Sequence, residues 1–407
     1  MSGIVLSASV RQNLLALQST ADLLASTQNA LATGKKVNSA LDNPTNFFTA
    51  QSLDNRASDI GNLLDSIGNG VQVLQAANTG ITSLQKLVDS AKSIANQVLQ
   101  SSVGYSSKAN VNVTGTGTGT GTTVASNLNA GKLGGSVLTF KTSSGTLAVT
   151  IGSTFTSGSG SATVNTLDQL NSVLASNGVA LTASLSSTAD TLTFTSTNDA
   201  ASQTITSTGT APTGAGVDIT AATATVGTVN AAVADPTSQT TRANLVSQYN
   251  TVIQQITTTS QDSSFNGVNL LNGDNLKLTF NETGKSSLNI AGVTFNATGL
   301  GLGTLAAGTD FLDSTSANSI LSKLSNAADT LRSEASSLGS NLSVVQIRQD
   351  FNKTLIDVLQ TGSSNLTLAD TNQEAANSQA LSTRQSIAVS ALSLANQSQQ
   401  SVLQLLR

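Results

Sequence analysis

The residues from Ile60 to Leu99 read IGNLLDSIGNGVQVLQAANTGITSLQKLVDSAKSIANQVL. Apolar residues or glycines recur along this stretch at alternating steps of four and three positions. A mean step of about 3.5 residues keeps such side chains on one face of a helix, which then needs a partner helix along its whole length. The row consists of Leu63, Ile67, Gly70, Leu74, Ala77, Ile81, Leu84, Val88, Ala91, Ala95 and Val98.

The start of this helix is marked by Asn43, a good capping residue, followed by Pro44, which suits the first helical position. A helix from Pro44 to the serines at 101–102 would be roughly 80 Å long at about 1.5 Å per residue. That length exceeds the core of a compact domain, so we predict an elongated helical rod.

The composition excludes several classes of function. The chain has 407 residues, a net charge of −4, and neither cysteine nor histidine. Disulfides, thiolate or imidazole metal sites and histidine-dependent catalytic triads are therefore ruled out. The acidic balance disfavours nucleic acid as a partner. We predict no catalytic residue, no cofactor site and no metal site.

The sequence contains no apolar run long enough to insert into a membrane and no ordinary cleaved export signal. Two interpretations remain open at this point: a cytosolic protein, or a protein secreted by a route that needs no cleaved signal.

Both ends of the chain carry further helical rows with the same four–three rhythm. The N-terminal row ends before Gly34, and the C-terminal row runs to the last residues. A lone helix of this kind is marginal in water, so we expect the two rows to pack against each other and against other copies of the chain. The rows contain Val10, Leu14, Leu17, Ala21, Leu24, Gln28 and Leu31, and Leu381, Ala388, Leu392, Ala395, Gln399, Val402 and Leu406.

The segment 104–235 has a different composition and interrupts the helical pattern. Its glycine–threonine run at 115–121 predicts a flexible stretch, and 133–197 predicts the order strand, strand, helix, strand, strand. Residues 200–235 receive no assignment. Asp235 and Pro236 restart the helical pattern, so we interpret 104–235 as an inserted domain.

The remainder alternates between helix and short strands. We predict a helix from 236 to about 258, short strands at 276–280 and 288–295, and a helix over 318–360 that Gly362 breaks. The predicted rod core comprises Leu63, Ile67, Leu74, Ile81, Leu84, Val88, Leu245, Val252, Ile256, Leu331, Leu338, Leu342 and Val345.

The predicted fold is mainly α with a β-rich inserted domain. Segments from the two ends form a long coiled-coil-like rod with short β-hairpins, and the insert is an α+β outer domain. The predicted domains are terminal helices at 1–43 and 364–407, a rod at 44–103 and 236–363, and the insert at 104–235.

Three separated motifs resemble bacterial flagellin. The first is LATGKKVNSALDN at 31–43, the second is SFNGVNLL at 264–271, and the third is the C-terminal run from Ala395 to Arg407. The unit at about 133–197 is similar, less specifically, to a β-rich repeat of flagellins and hook-associated proteins.

This resemblance implies a structural, non-enzymatic subunit of the extracellular flagellar filament used for swimming. Subunits would leave the cell unfolded through the type III export apparatus and polymerise with other flagellin subunits. The implied partners are the flagellar cap, hook-associated junction proteins and an export chaperone. The terminal helices would form the inner tube of the filament, with Val10, Leu14, Leu17, Leu24, Leu31, Leu381, Leu392, Val402 and Leu406 as polymerisation residues.

The chain departs from the commonest flagellin arrangement in two respects. Its insert lies between the first and second rod helices, whereas outer domains of many flagellins lie further on. The surface that an innate immune receptor reads in some flagellins aligns here with Ser90, Ile94 and Gln248, which lack that motif's Arg and Glu charges. We therefore expect weak receptor activation.

Two alternatives to a filament subunit stay open from the sequence alone. One is a hook–filament junction protein, which shares the terminal helices. The other is a secreted adhesin or polysaccharide-binding protein that uses residues 104–235.

Overall fold

A computed structural model describes residues 8–187, 190–213 and 215–405. Six helices account for most of these residues, and the longest has 57 residues. The helices are α1 (Ala8–Thr33), α2 (Pro44–Gln100), α3 (Leu167–Ser176), α4 (Pro236–Asp262), α5 (Ser314–Thr367) and α6 (Thr371–Leu405).

The helix boundaries follow from the capping residues. Gly34, directly after α1, has a φ of +69°, a conformation that ends a helix and suits glycine. At the start of α2 the Asn43 Oδ1 accepts a hydrogen bond from the backbone N–H of Asn46 at 3.0 Å. Asp235 caps α4 by accepting from the N–H groups of Thr237 and Ser238. The predicted helix starts at Pro44 and Pro236 are therefore confirmed.

The chain forms two compact units. The first contains the described residues of Met1–Gln72, Lys277–Ile290 and Asn341–Arg407, and the second contains Val73–Leu276 and Ala291–Ser340. This division crosses α2 and α5, so it differs from the predicted domain boundaries. The predicted boundary at 363/364 also lies inside α5, four residues before that helix ends at Thr367.

The first unit pairs helices from opposite ends of the chain. α1 packs along α6, and the α1–α2 connection bonds to the end of α5 through Lys36 N–H and Thr367 O at 2.7 Å. Ala57 and Ile60 of α2 form a small core with Leu359 of α5. The buried Asn352 side chain of α5 donates to the Phe280 carbonyl oxygen at 3.0 Å, which fixes the chain just after a short strand.

The second unit contains the β-rich region. Its strands are β1 (Tyr105–Ser107), β2 (Asn110–Gly115), β3 (Val137–Thr142), β4 (Gly145–Ile151), β5 (Ser161–Val164), β6 (Leu181–Leu185), β7 (Thr191–Ser196), β8 (Thr204–Thr206), β9 (Gly216–Ala222), β10 (Ala224–Asn230) and β11 (Val233–Ala234). The hairpin strands further on are β12 (Leu276–Thr279) and β13 (Ser287–Ile290).

Two sheets enclose a common apolar core in the β-rich region. One sheet has the order β10-β2-β7-β6 and the other the order β5-β4-β3-β9-β8. The buried Phe140 of one sheet meets Phe194 of the other edge-to-face at 5.3 Å between ring centres. The predicted strand, strand, helix, strand and strand correspond to β3, β4, α3, β6 and β7, but the additional strand β5 precedes α3. The pairs β3–β4 and β6–β7 belong to different sheets.

The glycine–threonine run is not a free linker over its whole length. β2 extends to Gly115, and its Val111 and Val113 are fully buried. Gly117 N–H donates to Lys132 O at 2.9 Å, and a Cβ atom added at Gly115 would lie 2.4 Å from the backbone of Lys132. The glycines therefore serve close approach of two backbone segments, which a side chain would prevent.

Four other expectations need correction. Residues 200–235, left unassigned, supply β8 to β11, including β9 in the five-stranded sheet. Gly362 does not break α5, and a Cβ there would lie 3.4 Å from Leu53 of α2, so its small size permits close packing. Residues 293–295 lie outside the strands, since β13 ends at Ile290. The α4 helix also extends past 258 to Asp262.

Arg242 of α4 connects three segments where the β-rich region leaves the helices. Its guanidinium donates to the carbonyl oxygens of Ser102 at 2.8 Å, Phe311 at 2.5 Å, and Val98 and Ser101 at 3.2 Å each. The residue is 2% exposed, and burial lowers the pKa of its guanidinium, an effect that the Asp313 carboxylate opposes. The carbonyls at the end of α2 thus obtain from Arg242 the donors that their own helix cannot supply.

Replacing Arg242 should destabilise the second unit. Arg242→Met leaves the carbonyl oxygens of Ser101, Ser102 and Phe311 without the donor that Arg242 supplies, whereas Val98 O still accepts from Ser101 Oγ. A buried acceptor left unpaired costs about 1–3 kcal/mol, so we expect a loss of at least about 3 kcal/mol. Urea unfolding followed by circular dichroism measures this loss. Arg332→Met is the matched control, because Arg332 forms an exposed pair with Asp329 and should change stability by under about 1 kcal/mol. Equal unfolding midpoints for both variants would contradict the role given to Arg242.

Candidate assembly surface on the terminal helices

The α6 helix has a narrow contact stripe with heptad spacing. Among its described side chains, those that are partly buried recur at steps of four and three positions. This is the pattern of a helix that wraps around one partner. The stripe consists of Glu374, Ser378, Leu381, Gln385, Ala388, Leu392 and Ala395.

The α1 helix supplies the partner stripe. Val10, Thr27 and Ala30 are buried, while Leu17 and Leu24 are half-buried. The resulting α1–α6 seam mixes leucine with polar and small residues.

Apolar residues outside the α1–α6 seam remain in contact with solvent. Leu15 and Leu23 of α1 are 66% and 53% exposed, and Ile387 and Leu394 of α6 are 63% and 72% exposed. Of the 19 large apolar side chains that are exposed in the described part of the chain, 14 belong to the first unit. Such a concentration of exposed apolar side chains makes the first unit the candidate region for contacts with other protein surfaces.

Some of the predicted polymerisation residues are buried in the α1–α6 seam, and others are exposed to solvent. Val10 is buried, and Leu17, Leu24, Leu381 and Leu392 are half-buried in the seam. Leu14 and Leu31 are 38% and 41% exposed. Val402 lies on α6 with its side chain outside the described set, and Leu406 lies outside the described residues. Their role in a polymer stays a prediction.

The predicted rod-core residues are mostly buried within their own units. In the second unit Leu74, Ile81, Leu84, Val88, Leu245, Ile256, Leu331 and Leu338 are buried, and Val252 is half-buried. In the first unit Ile67 and Val345 are buried, and Leu63 and Leu342 are half-buried.

The residues aligned with the immune-receptor surface do not form one exposed patch. Ser90 and Gln248 are exposed, but Ile94 is 7% exposed. Ile94 therefore belongs to the interior of the second unit and not to a surface. The weak receptor activation remains a prediction that depends on Ser90 and Gln248.

The α1–α2 turn, residues 34–43, is tightly ordered. The Asp42 carboxylate accepts hydrogen bonds from the backbone N–H groups of Ser39 at 2.8 Å and Asn38 at 2.9 Å. These bonds lower the pKa of Asp42, so the turn keeps its charged acceptor until the pH falls below the usual carboxyl range. Leu41 in the same turn is 96% exposed.

Side-chain clusters that could hold a metal ion and helices that could span a membrane are both absent from the described residues. These residues contain no cluster of three or more histidine, cysteine, aspartate or glutamate side chains placed to hold a metal ion. In the same part of the chain, no helix combines the length and the apolar character needed to cross a lipid bilayer.

Comparisons with known proteins match both ends of the chain. Residues 5–114 match the bacterial flagellin N-terminal helical region, and residues 321–406 match the bacterial flagellin C-terminal helical region. Over 165 residues, the chain is 34% and 33% identical to flagellins FljM and FljK of Caulobacter vibrioides. Each alignment covers 40% of this chain and 59% of the relative, so the chain spans about three fifths of their length.

A further relative is flagellin A of Rhizobium meliloti, which is 37% identical over 90 residues, or 22% of this chain and 23% of the relative. The two matched regions contain the paired helices α1 and α6, which lie before and after the β-rich region in the sequence. Both terminal regions of the chain therefore match the bacterial flagellin family.

A pair of substitutions separates the seam from the exposed face of α6. Leu381→Ser removes apolar contact within the seam, worth about 1–2 kcal/mol for a half-buried leucine. We expect roughly tenfold faster amide exchange in both α1 and α6 of the monomer, since about 1.4 kcal/mol is a factor of ten. Hydrogen exchange followed by mass spectrometry measures this. Ile387→Ser is the control and should leave exchange unchanged, and equal effects of both variants would refute the seam assignment.

Proposed function

We propose that this chain is a structural subunit that polymerises into the extracellular filament of the bacterial flagellum. The observation that carries the proposal is the pair α1 and α6, which match the family's terminal regions and expose apolar residues beyond their seam. A soluble monomer gains nothing from that exposed surface, whereas a polymer buries it. Burial is worth about 25 cal/mol for each Å² of apolar surface removed from water.

The mechanism of assembly follows from the two kinds of surface on the terminal helices. The seam holds α1 and α6 together as one element, and the outer faces contact neighbouring copies. Because these faces differ from each other, the contacts are heterologous, and copies add in an open helix instead of closing into a dimer. The terminal helices at 1–43 and 364–407 then form the inner tube of the filament.

The remaining domains are proposed to lie progressively further from the tube. Segments 44–103 and 236–363 form the helical rod domain, and 104–235 forms an outer, surface-exposed domain. Swimming motility follows from rotation of the completed filament.

Assembly also implies partners other than flagellin subunits. We propose export through the type III apparatus with the help of a chaperone, and addition beneath a cap onto hook-associated junction proteins. A chain without cysteine is compatible with export in the unfolded state, since no disulfide has to be broken. No enzymatic activity, nucleic-acid binding or membrane insertion is part of this proposal.

Removal of the end of α6 tests the proposal. A chain lacking Leu392 to Arg407 should keep its second unit folded, because that unit contains none of these residues. It should nevertheless fail to form filaments when seeded with fragments of wild-type filament, as judged by sedimentation and electron microscopy. Filaments from the truncated chain would overturn the role of the terminal helices.

Excision of the insert separates a filament subunit from an adhesin. The ends of the insert are adjacent, since Asp235 N–H donates to Gly104 O at 3.0 Å, so a short turn can replace the residues between β1 and β11. A filament subunit should still polymerise with the insert removed. A chain whose activity is adhesion through 104–235 should lose that activity and show no filaments before or after excision.

A further inference from the structure

The α5 helix carries a second apolar stripe that the heptad row does not include. Val344, Ile347, Phe351 and Val358 are 42%, 65%, 56% and 61% exposed. At about 100° per residue these four positions fall within an arc of about 60° around the helix. They form one continuous ridge, which we call the α5 stripe, and all of it belongs to the first unit.

The α5 stripe is separate from the face by which α5 packs in its unit. The buried residues Val345, Asn352 and Leu359 centre roughly 110° away around the helix. The stripe is therefore not required to bury α5 against α2 and the strand end at Phe280. An exposed helix face is ordinarily polar, so the stripe needs another explanation.

The sequence of α5 itself provides the comparison. At the same helical phase, but before the stripe, the exposed residues are Ser333, Ser337 and Ser340. The same face of α5 thus carries serine side chains along one part of the helix and apolar side chains along the next. The change is confined to positions 344–358 and does not follow from helix formation.

Charge distinguishes the two edges of the α5 stripe. Asp350 and Asp357 follow one edge, and the weak pair of Asp350 with Lys353 is exposed and 3.6 Å long. On the other edge Arg348 stacks over the Phe280 ring, 5.8 Å from its centre. A partner surface that fits the stripe is therefore apolar with basic residues beside it.

The α1–α2 turn has that composition. Leu41 is the most exposed of the large apolar side chains described, Phe48 nearby is 59% exposed, and Lys35 and Lys36 are exposed in the same turn. The hydrogen bonds of Asp42 and the bond from Lys36 N–H to Thr367 O hold this turn in place. A preordered surface loses little conformational entropy on binding.

Within one copy the two surfaces do not cover each other. Leu41 stays 96% exposed, and the four stripe residues stay at least 42% exposed. We propose that a second copy of this chain seats its α1–α2 turn on the α5 stripe, an inference that rests on the proposed polymerisation. Because the turn and the stripe are different surfaces, each copy offers one and accepts the other, and the contact propagates through the polymer.

Crosslinking of single-cysteine variants tests this contact directly. The chain has no cysteine, so Leu41→Cys and Ile347→Cys each carry one thiol. The Leu41→Cys chain is labelled with ¹⁵N, mixed with the unlabelled Ile347→Cys chain, seeded into filaments and treated with a short bismaleimide. We expect crosslinked peptides that join labelled residue 41 to unlabelled residue 347, in filaments but not in unseeded monomers.

Ser337→Cys is the matched control, because residue 337 is exposed at the same phase of α5 outside the stripe. It should crosslink to Leu41→Cys at least tenfold less than Ile347→Cys does. Filaments in which the two α5 positions crosslink equally, or not at all, would overturn the inference while leaving the proposed function intact. Failure of the wild-type chain to polymerise on seeds would overturn both.

A second measurement asks what the α5 stripe contributes. The double variant Ile347→Ser, Phe351→Ser should melt at the wild-type temperature, since both side chains are more than half exposed in the monomer. Its critical concentration for seeded polymerisation should rise at least tenfold. An unchanged critical concentration would contradict the proposal, and Ser337→Ala, which should change neither quantity, controls for substitution on α5.

Discussion

The seam between α1 and α6 is narrow, and its width limits how many apolar side chains these two helices can bury. When α1 and α6 pair, each buries one stripe with heptad spacing, and no second helix covers their other faces in the described residues. Both helices nevertheless carry more large apolar side chains than that stripe holds, including Leu15, Leu23 and Leu394. A single copy therefore leaves apolar surface exposed on both terminal helices, and the proposed polymer would bury that surface.

The helical part of the fold could be predicted from the sequence because its causes are local. The four–three spacing of apolar residues predicts the helices, the capping residues Asn43 and Asp235 mark two of their starts, and Gly34 ends the first helix. The seam was less predictable, since residues such as Ser378 and Gln385 lie in it while Ile387 lies outside. Packing against segments that are distant in the sequence decides which face of each helix turns toward its partner. The pattern of a single sequence does not specify that face.

The β-rich region shows why the other predictions failed. A run such as that at 115–121 has the composition of a flexible linker, yet Gly115 and Gly117 lie against the backbone near Lys132. β9 and β10 pair with β3 and β2, which lie far away in the chain, and β8 pairs with β9, so the sheets override the weak local propensity of these strands. Ile94, one of the three residues aligned with the receptor surface, is buried, because alignment fixes position in the chain and not the direction of the side chain.

The distribution of exposed apolar residues argues for a division of labour between the two units. The second unit buries its apolar residues in its own core, and only five of the 19 exposed large apolar side chains belong to it. Its surface is polar through serine, threonine and asparagine rather than through charge. The first unit keeps the α5 stripe, Leu41 and the outer faces of α1 and α6 open to solvent. If the proposed assembly surfaces are correct, substitutions on the second unit's surface leave them intact, whereas the first unit has to preserve both its own packing and its fit to a neighbouring copy.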